Sequence, residues 1–186
     1  MRRKIRIATR GSKLAQAQAM SVVSLLEKVN TDTDYEIVTI STIGDRVTDK
    51  PLSTFRGMGV FVKEIQAALL THEVDIAVHS LKDVPVDRPD ELTLTCYLKR
   101  ENPFDILLTR TGAALHELEK GAVIGTSSAR RSLQLRAIRN DLEFRDIRGN
   151  LDTRIKKLNE GMYDGIVVAA AGMNRLGREF SKSSLL

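Results

Sequence analysis

The feature that most constrains the fold is a regular alternation of short apolar segments with amphipathic segments of helical period. After Ser12, a residue that can cap a helix, Leu14, Gln18, Val22 and Leu25 recur on one helical face. Strands are predicted at residues 5–9, 35–40, 75–79, 92–98, 105–108, 123–126, 143–147 and 165–170, and further helices at residues 61–72, 128–140 and 151–162. Strands that alternate with helices favour mainly parallel sheets covered by helices, which is the α/β class.

A charged stretch that ends in proline, Lys99 to Pro103, divides the chain near its middle. We expect residues 1–98 to form a first lobe, residues 99–103 a hinge and residues 104–186 a second lobe. Each half opens with a strand, a small polar turn and a helix, and the turns are Thr9 to Ser12 and Thr126 to Ala129. The spacings differ between the halves, so the pattern predicts similar topology rather than a strict repeat.

Composition argues against several classes of protein. The longest apolar run, Gly165 to Met173, is far shorter than the ~20 residues that a membrane-spanning helix needs. The amino terminus is basic but lacks the apolar core of a signal peptide. The one cysteine, Cys96, rules out an internal disulfide, and its apolar neighbours are typical of a buried core thiol. We therefore expect a cytoplasmic protein with no membrane partner.

The net charge of +5 is concentrated in the second half of the chain. Residues 1–120 carry 17 Lys and Arg against 17 Asp and Glu, whereas residues 121–178 carry 11 against 6, and nine of those 11 are arginine. The planar guanidinium matches carboxylate and phosphate groups. The excess is compatible with a solvated basic face or with an anion site. Nucleic-acid binding is disfavoured, because acidic residues are interleaved and no recognised module is present.

Hydroxyl and arginine side chains cluster where predicted strands pass into predicted helices. Such a turn presents backbone N–H groups and the positive end of a helix. Capping alone requires one hydroxyl, whereas the second turn has three, followed by two arginines, which favours an anion site over simple capping. It is not a Walker loop, because the closing Gly-Lys-Ser/Thr is missing. The candidates in the second half are Thr126, Ser127, Ser128, Arg130, Arg131, Arg148, Arg154 and Arg175.

A second dense motif follows the strand predicted at residues 75–79, and it reads His79-Ser80-Leu81-Lys82-Asp83-Val84-Pro85. A carboxylate in such a loop can act as an acid, a base or a stabiliser of developing positive charge. The alternative is an ordinary surface pair of Lys82 and Asp83. The three histidines show no metal-ligand spacing, so no metal site is predicted.

Taken together, these segments resemble the porphobilinogen deaminase (hydroxymethylbilane synthase) family from Ile5 to about Gly177. The matching segments are residues 6–12, 42–45, 59–64, 75–85, 124–131, 148–150 and 171–177. The resemblance implies two lobes like those of periplasmic binding proteins, a monomer, and the joining of four porphobilinogen molecules into a linear tetrapyrrole with release of ammonia. It also implies a dipyrromethane cofactor and a third α/β domain, so we interpret this chain as truncated after the second lobe.

The resemblance further implies roles for individual residues. Asp83 is the expected catalytic carboxylate. The residues expected to hold substrate and cofactor carboxylates in the first lobe are Arg10, Ser12, Gln18 and Lys82, and in the second lobe the residues named above. In the family's glycine-rich loop, Met58 stands where a lysine is usual, and Arg56 partly replaces its charge. The cysteine that carries the cofactor is missing, so the chain alone is expected to make no tetrapyrrole.

The hypothesis that remains beside this one is a cytoplasmic, two-lobed binder of a small polycarboxylate without catalytic activity. The two hypotheses differ over the motif around Lys82 and Asp83, because an anion binder gains nothing from a carboxylate that faces its ligand.

Overall fold

The computed structural model describes residues 3–47, 59–180 and 185–186. These residues form two compact units, and the boundary between the units falls after Leu98. Unit 1 consists of residues 3–47 and 59–98, and unit 2 consists of residues 99–180 and 185–186. The mixed α/β class with mainly parallel sheets, which the alternating pattern predicts, is confirmed. The division into lobes and a hinge at residues 99–103 stays a prediction.

Unit 1 is built on a parallel sheet whose described strands lie in the order β2-β1-β3. The strands are β1 (Arg3–Arg10), β2 (Thr33–Ile40) and β3 (Ile76–Ala77). Arg10 pairs with Ile40, and Ala8 pairs with Ala77. The carboxyl ends of all three strands therefore meet at one edge of the sheet, which is where an α/β fold places its functional loops.

The α-helices in the described part of this unit are α1 (Lys13–Glu27), α2 (Ile43–Arg46) and α3 (Lys63–Leu70). Ala8 on β1 packs with Ile65, Ala68 and Val74 to form the core of the unit. On α1 the predicted face is only partly buried, since Leu14, Gln18 and Val22 are half-buried and Leu25 is 48% exposed. Ala19, outside the predicted set, is fully buried. Within the described residues, no helix is long and apolar enough to cross a membrane.

Unit 2 contains a sheet whose described strands lie in the order β4-β7-β5-β6. The strands are β4 (Asp105–Thr109), β5 (Val123–Gly125), β6 (Glu143–Arg145) and β7 (Gly165–Ala169), and the helices are α4 (Ala129–Ile138), α5 (Leu151–Asn159) and α6 (Ala170–Arg175). Strands β5, β6 and β7 are parallel, whereas β4 runs antiparallel to β7. This reversal places the first residue of β4 beside the last residue of β7.

Both faces of the second sheet are buried, as expected for strands covered by helices on each side. Along β7, Ile166 and Val168 face one apolar cluster together with Met173. Val167, between them, faces the other cluster together with Ile124. This alternation fits the two-residue repeat of a strand and explains why β7 is a continuous apolar run in the sequence.

Three of the predictions from periodicity were wrong in detail. No strand forms over residues 92–98 in the described part of unit 1, because no described strand pairs with that segment. Cys96, predicted to be a buried core thiol, is exposed for the same reason. Met162 lies beyond the end of α5 and is 54% exposed, since the helix ends at Asn159.

The double burial of β7 predicts a large effect of truncation at its centre. Ile166→Ala should lower the free energy of unfolding by about 2–5 kcal/mol, because it removes apolar contacts and leaves a cavity. Ile138→Ala is the matched control, because Ile138 is 70% exposed and its truncation should cost less than about 0.5 kcal/mol. Urea denaturation followed by circular dichroism measures both values. Equal losses in the two variants would contradict the packing described here.

Candidate functional site

In unit 1 the end of β1 leads directly into α1 through a short polar turn. Ser12 caps α1, since the backbone N–H of Ala15 donates to its hydroxyl oxygen at 3.3 Å. Thr9 is fully buried and its hydroxyl donates to the carbonyl oxygen of Ala15 at 3.0 Å. These two contacts hold the turn rigidly, so that Arg10 projects from the carboxyl edge of the sheet.

The guanidinium group of Arg10 is held by Asp45 and Phe61. Arg10 Nε donates to Asp45 Oδ1 at 3.1 Å, and Arg10 Nη2 makes a second, shorter contact with the same carboxylate. The ring of Phe61 lies under the guanidinium, with 4.2 Å between Arg10 Cζ and the ring centroid. One edge and one face of the guanidinium are therefore occupied by protein groups, and its orientation is set before any ligand binds.

Helix α2 brings Asp45 to this position. Asp45 also accepts from the Thr42 hydroxyl at 2.7 Å, so the carboxylate closes the first turn of its own helix. Gly44 allows the close approach of Phe61, because a Cβ atom there would lie 2.2 Å from the ring. Glu64 on α3 accepts from the Ile43 backbone N–H at 2.8 Å and ties α2 to the unit.

The loop after β3 carries Asp83, the expected catalytic carboxylate. A single 3₁₀ turn, Leu81–Asp83, follows the strand, and the Asp83 backbone N–H donates to the Ser80 carbonyl oxygen at 2.9 Å. The Asp83 carboxylate lies 3.8 Å from Arg10 Nη1, an ion-pair contact beyond hydrogen-bond distance. Its oxygens therefore keep the capacity to accept a hydrogen bond from an N–H donor of a ligand.

Gln18 and Ser80 join α1 to the same loop. Their side chains form a hydrogen bond, with 3.0 Å between Gln18 Nε2 and Ser80 Oγ. Gln18 was predicted to hold ligand carboxylates, and in unit 1 it contacts the residue just before the 3₁₀ turn. Lys82, beside Asp83, has an exposed side chain.

Burial and neighbouring charges set the ionisation of two groups at this edge. Burial of Asp45 works to raise its pKa, but hydrogen bonds from Arg10 and Thr42 outweigh that effect, and the pKa of Asp45 is lowered. Burial lowers the pKa of His79; Asp83 partly offsets this lowering, and Arg10 adds to it. At neutral pH the edge therefore holds an ionised Asp45 and a neutral His79.

In unit 2 the three hydroxyls of the turn after β5 each have a local partner. The Thr126 hydroxyl oxygen accepts from the Ser128 backbone N–H at 3.2 Å, and Thr126 is only 5% exposed. The Ser127 hydroxyl bridges to Ile147, donating to its carbonyl oxygen at 2.9 Å and accepting from its N–H at 3.1 Å. Ser128 caps α4. These contacts give the hydroxyls structural roles, and their role as ligand contacts stays a prediction.

Arg130 and Arg131, in the first turn of α4, share one carboxylate, that of Asp105. Arg130 Nη2 donates to Asp105 Oδ2 at 2.6 Å, and Arg131 Nη2 donates to Asp105 Oδ1 at 2.5 Å. Arg131 also donates from Nη1 to the carbonyl oxygen of Val167 at 3.0 Å. The Arg131 side chain is 12% exposed and that of Arg130 is 61% exposed. Arg130 is therefore the one whose guanidinium reaches solvent.

Arg148 and Arg154 lie at the junction of β6 and α5. Arg148 is 8% exposed, and its carbonyl oxygen accepts from Lys157 Nζ at 3.1 Å. Gly149 follows with φ of 110°, a conformation that glycine adopts readily because it has no Cβ atom and that other residues rarely adopt. Arg154 Nε donates to the Gly149 carbonyl oxygen at 2.9 Å. Both arginines thus lie at the turn that enters α5.

Arg175 lies on α6, which follows β7. It is the last residue of that helix, about 8 Å along the axis from the end of β7. It is exposed, and its charge contributes to lowering the pKa of Glu101, after hydrogen bonds to that carboxylate from Asn102 and Asn174. The charge of Arg175 therefore acts on Glu101, an interaction that the sequence pattern does not predict.

Sequence reasoning did not identify Asp45 and Asp105 as the carboxylates that contact the arginines. Asp45 lies in a segment that supports the family resemblance but carries no predicted role, and Asp105 was assigned only to a strand. No local signal could have found them, because each aspartate meets its arginines only through the tertiary structure. Arg56 and Met58, singled out from the sequence, lie outside the described residues. Among the described residues, no group of acidic, histidine or cysteine side chains could hold a metal ion.

Each unit therefore presents a distinct chemistry at one sheet edge. Unit 1 places a carboxylate, Asp83, beside an oriented guanidinium, which suits a group that changes charge during a reaction. Unit 2 places arginines at helix amino termini, where backbone N–H groups and guanidinium groups together favour anions.

Comparison with known proteins gives a family for this chain. A family model described as porphobilinogen deaminase, dipyromethane cofactor binding domain, matches residues 5–186. The porphobilinogen deaminase of Alkaliphilus metalliredigens is 47% identical over 184 residues, covering 99% of this chain and 58% of its own length. That of Bacillus subtilis is 49% identical over 177 residues, covering 95% of this chain and 56% of its own length. The chain thus spans little more than half the length of these curated relatives.

A solved structure supports the fold. The BvgS VFT2 domain of Bordetella pertussis, in a double-mutant form, matches 99% of this chain and 75% of that domain, with a TM-score of 0.50 and 18% identity. At this identity the likeness concerns the fold alone, and it agrees with the predicted α/β class.

The ion pair of Arg10 and Asp45 predicts a pH dependence. Because the pKa of Asp45 is lowered by folding, its ionised form contributes stability above the ordinary pKa of aspartate, and this contribution is lost as pH falls through the folded-state pKa. Asp45→Asn should therefore reduce the free energy of unfolding at pH 7, and its difference from the unmodified chain should shrink below about pH 4. Urea denaturation between pH 3 and pH 7 measures the two curves. Parallel curves would show that the pair contributes no pH-dependent stability.

Proposed function

The chain belongs to the porphobilinogen deaminase family, and on that premise we propose that it is the substrate-handling part of a hydroxymethylbilane synthase. Such a transferase of tetrapyrrole (haem) biosynthesis joins four porphobilinogen molecules into hydroxymethylbilane and releases ammonia at each addition. Because the chain spans 58% of the length of a curated relative, the activity is proposed for the protein that contains this sequence.

Asp83 is the residue to which we assign the chemical step. When the protonated amino group of the aminomethyl side chain leaves as ammonia, the carbon–nitrogen bond breaks. The methylene carbon stays on the pyrrole, and the resulting methylene-pyrrole unit carries the positive charge. A carboxylate that accepts a hydrogen bond from the ring N–H stabilises this cation electrostatically. The observation that carries the proposal is the position of Asp83, which is partly exposed at a sheet edge and 3.8 Å from Arg10 Nη1.

His79 supports this role for Asp83 by remaining neutral. Burial lowers the pKa of His79, so a second positive charge near Asp83 is avoided at neutral pH. A charged histidine there would compete with the substrate cation for the carboxylate, which would weaken the proposed stabilisation.

The arginines of unit 2 fit a dipyrromethane cofactor, whose side arms are carboxylates. Guanidinium groups and a helix amino terminus are the donors that such groups require, and Arg130, Arg131, Arg148 and Arg154 bring them to the ends of β5 and β6. When bound, the cofactor supplies the pyrrole carbon to which the first substrate is joined. Arg10, Ser12, Gln18 and Lys82 are proposed to hold carboxylates in unit 1.

The proposed setting is the cytoplasm, with a monomer that acts on a small molecule and needs no nucleic acid or membrane. The reducing compartment is supported by the single cysteine, which is exposed. The distribution of acidic residues through the basic second half supports a small anionic ligand over a nucleic acid.

The proposal is tested in a chimera in which this chain replaces the matching segment of the Bacillus subtilis porphobilinogen deaminase, to which it is 49% identical. The chimera should convert porphobilinogen to hydroxymethylbilane, followed as uroporphyrin absorbance and ammonia release. Asp83→Asn should lower kcat by about 100-fold or more, because the isosteric amide keeps the shape and loses the charge.

Asp87→Asn is the matched control, since it removes the same charge from an exposed position in the same loop. Its activity should stay within about twofold of the parent chimera. Normal turnover by the Asp83 variant would contradict the role assigned to that residue. A folded chimera that binds porphobilinogen but releases no ammonia would favour the non-catalytic binder of polycarboxylates.

A further inference from the structure

Asp105 is a negatively charged residue within the site of unit 2 that is proposed to bind ligand carboxylates. Its carboxylate contacts two of the arginines of that site. Because β4 runs antiparallel to β7, its first residue, Asp105, pairs with Ala169 at the end of β7. This position is at the sheet edge where α4 begins. The Asp105 side chain is 13% exposed and its two oxygens accept from different arginines, at 2.6 Å from Arg130 and 2.5 Å from Arg131.

Both guanidinium groups contact the same carboxylate, so their positive charges lie close together and repel each other. Both charges also lie near the positive end of the dipole of α4, which disfavours them. Arg131 is also nearly buried, and a buried charge without a partner is strongly unfavourable. The single carboxylate of Asp105 reduces the repulsion between the two guanidinium groups and provides a charged partner for the buried one. The balance is visible in its own ionisation, since burial works to raise the pKa of Asp105 but hydrogen bonds from Arg131 and Arg130 lower it overall.

Asp105 also decides where the two guanidinium groups point. Arg131 is fixed by Asp105 on Nη2 and by the Val167 carbonyl oxygen on Nη1, while its buried Nε has no hydrogen-bond partner among the described residues. Arg130 is fixed by Asp105 on Nη2 and by Gln134 on Nη1, at 2.8 Å. Without Asp105, Arg131 would keep one of these anchors, and Arg130 would keep a contact only within its own helix.

We infer that Asp105 is a positioning residue, which holds the guanidinium groups of Arg130 and Arg131 in the geometry that receives ligand carboxylates. This inference rests on the proposed function of unit 2. It predicts a change in anion affinity opposite in sign to the change that charge alone would cause. Removing a negative charge from the site raises its positive potential and should by itself tighten binding of an anion. Loss of positioning should weaken binding instead.

The first measurement does not depend on any ligand. Purified chain is treated with phenylglyoxal, which reacts with accessible guanidinium groups, and each arginine is followed by peptide mass mapping. Asp105→Asn should speed modification of Arg131 by about tenfold, because the amide leaves a nearly buried guanidinium without its charged partner.

Arg139 is the internal reference for this measurement. It lies just after α4 and is held by Asp141, with 2.7 Å between Arg139 Nη2 and Asp141 Oδ2 and a side chain that is 19% exposed. A general loosening of the unit would speed modification of Arg131 and Arg139 together. Faster modification of Arg131 with an unchanged rate at Arg139 supports the positioning role. An unchanged rate at Arg131, or an equal increase at both arginines, overturns it.

The second measurement is binding of porphobilinogen by isothermal titration calorimetry. Asp105→Asn should weaken binding about tenfold. Glu160→Gln removes one negative charge from an exposed position in the same unit, where its partner is Lys156, and should change affinity by less than about twofold. Tighter binding by the Asp105 variant would show that the Asp105 carboxylate competes with the ligand for the arginines, and it would overturn the inference.

The two measurements distinguish failure of the positioning role of Asp105 from failure of the function proposed for unit 2. If the unmodified chain binds no porphobilinogen, ligand handling by this chain as proposed fails, and the modification rates of Arg131 and Arg139 alone decide the role of Asp105. If porphobilinogen binds and the Asp105 variant binds as well as the parent, the positioning role fails while the proposed function stands.

Discussion

Each sheet of this protein brings a guanidinium group and a carboxylate together at the carboxyl ends of its parallel strands. In unit 1, Asp45 holds Arg10, and in unit 2, Asp105 holds Arg130 and Arg131. The side chains of Arg10 and Arg131 are 20% and 12% exposed, so their charges require a partner. Arg130 is 61% exposed, and its long side chain requires an anchor to keep one orientation. The aspartates supply both, and the chemistry proposed for each unit depends on the resulting orientation.

Each of these aspartates lies on a different secondary-structure element from the arginine that it contacts. The four-residue helix α2 delivers Asp45, and Gly44 beside it lets Phe61 pack beneath the Arg10 guanidinium. In unit 2 it is the reversed direction of β4 that delivers Asp105 to the end of β7. A fully parallel sheet would place that residue at the opposite edge, far from the amino terminus of α4.

The loop that carries Asp83 is held by contacts of a different kind. A 3₁₀ turn and the hydrogen bond between Gln18 and Ser80 fix the backbone, while the carboxylate stays at ion-pair distance from Arg10 without a close hydrogen bond to it. This arrangement leaves the carboxylate able to respond to a charge that develops on a ligand. Energetically, a group that already made short contacts to Arg10 would gain less from a new cation.

The amino-acid sequence alone determined the α/β class, most of the strands and helices, and the motifs that carry Asp83 and the arginines, because periodicity and turn chemistry are local. It could not determine that residues 92–98 form no strand, since a strand exists only through its partner. It could not identify Asp105 or Asp45 as the partners of the arginines, which lie 25 or more residues away along the chain. Only the tertiary structure brings such residues together, because strand order, strand direction and helix packing decide which distant side chains share an edge.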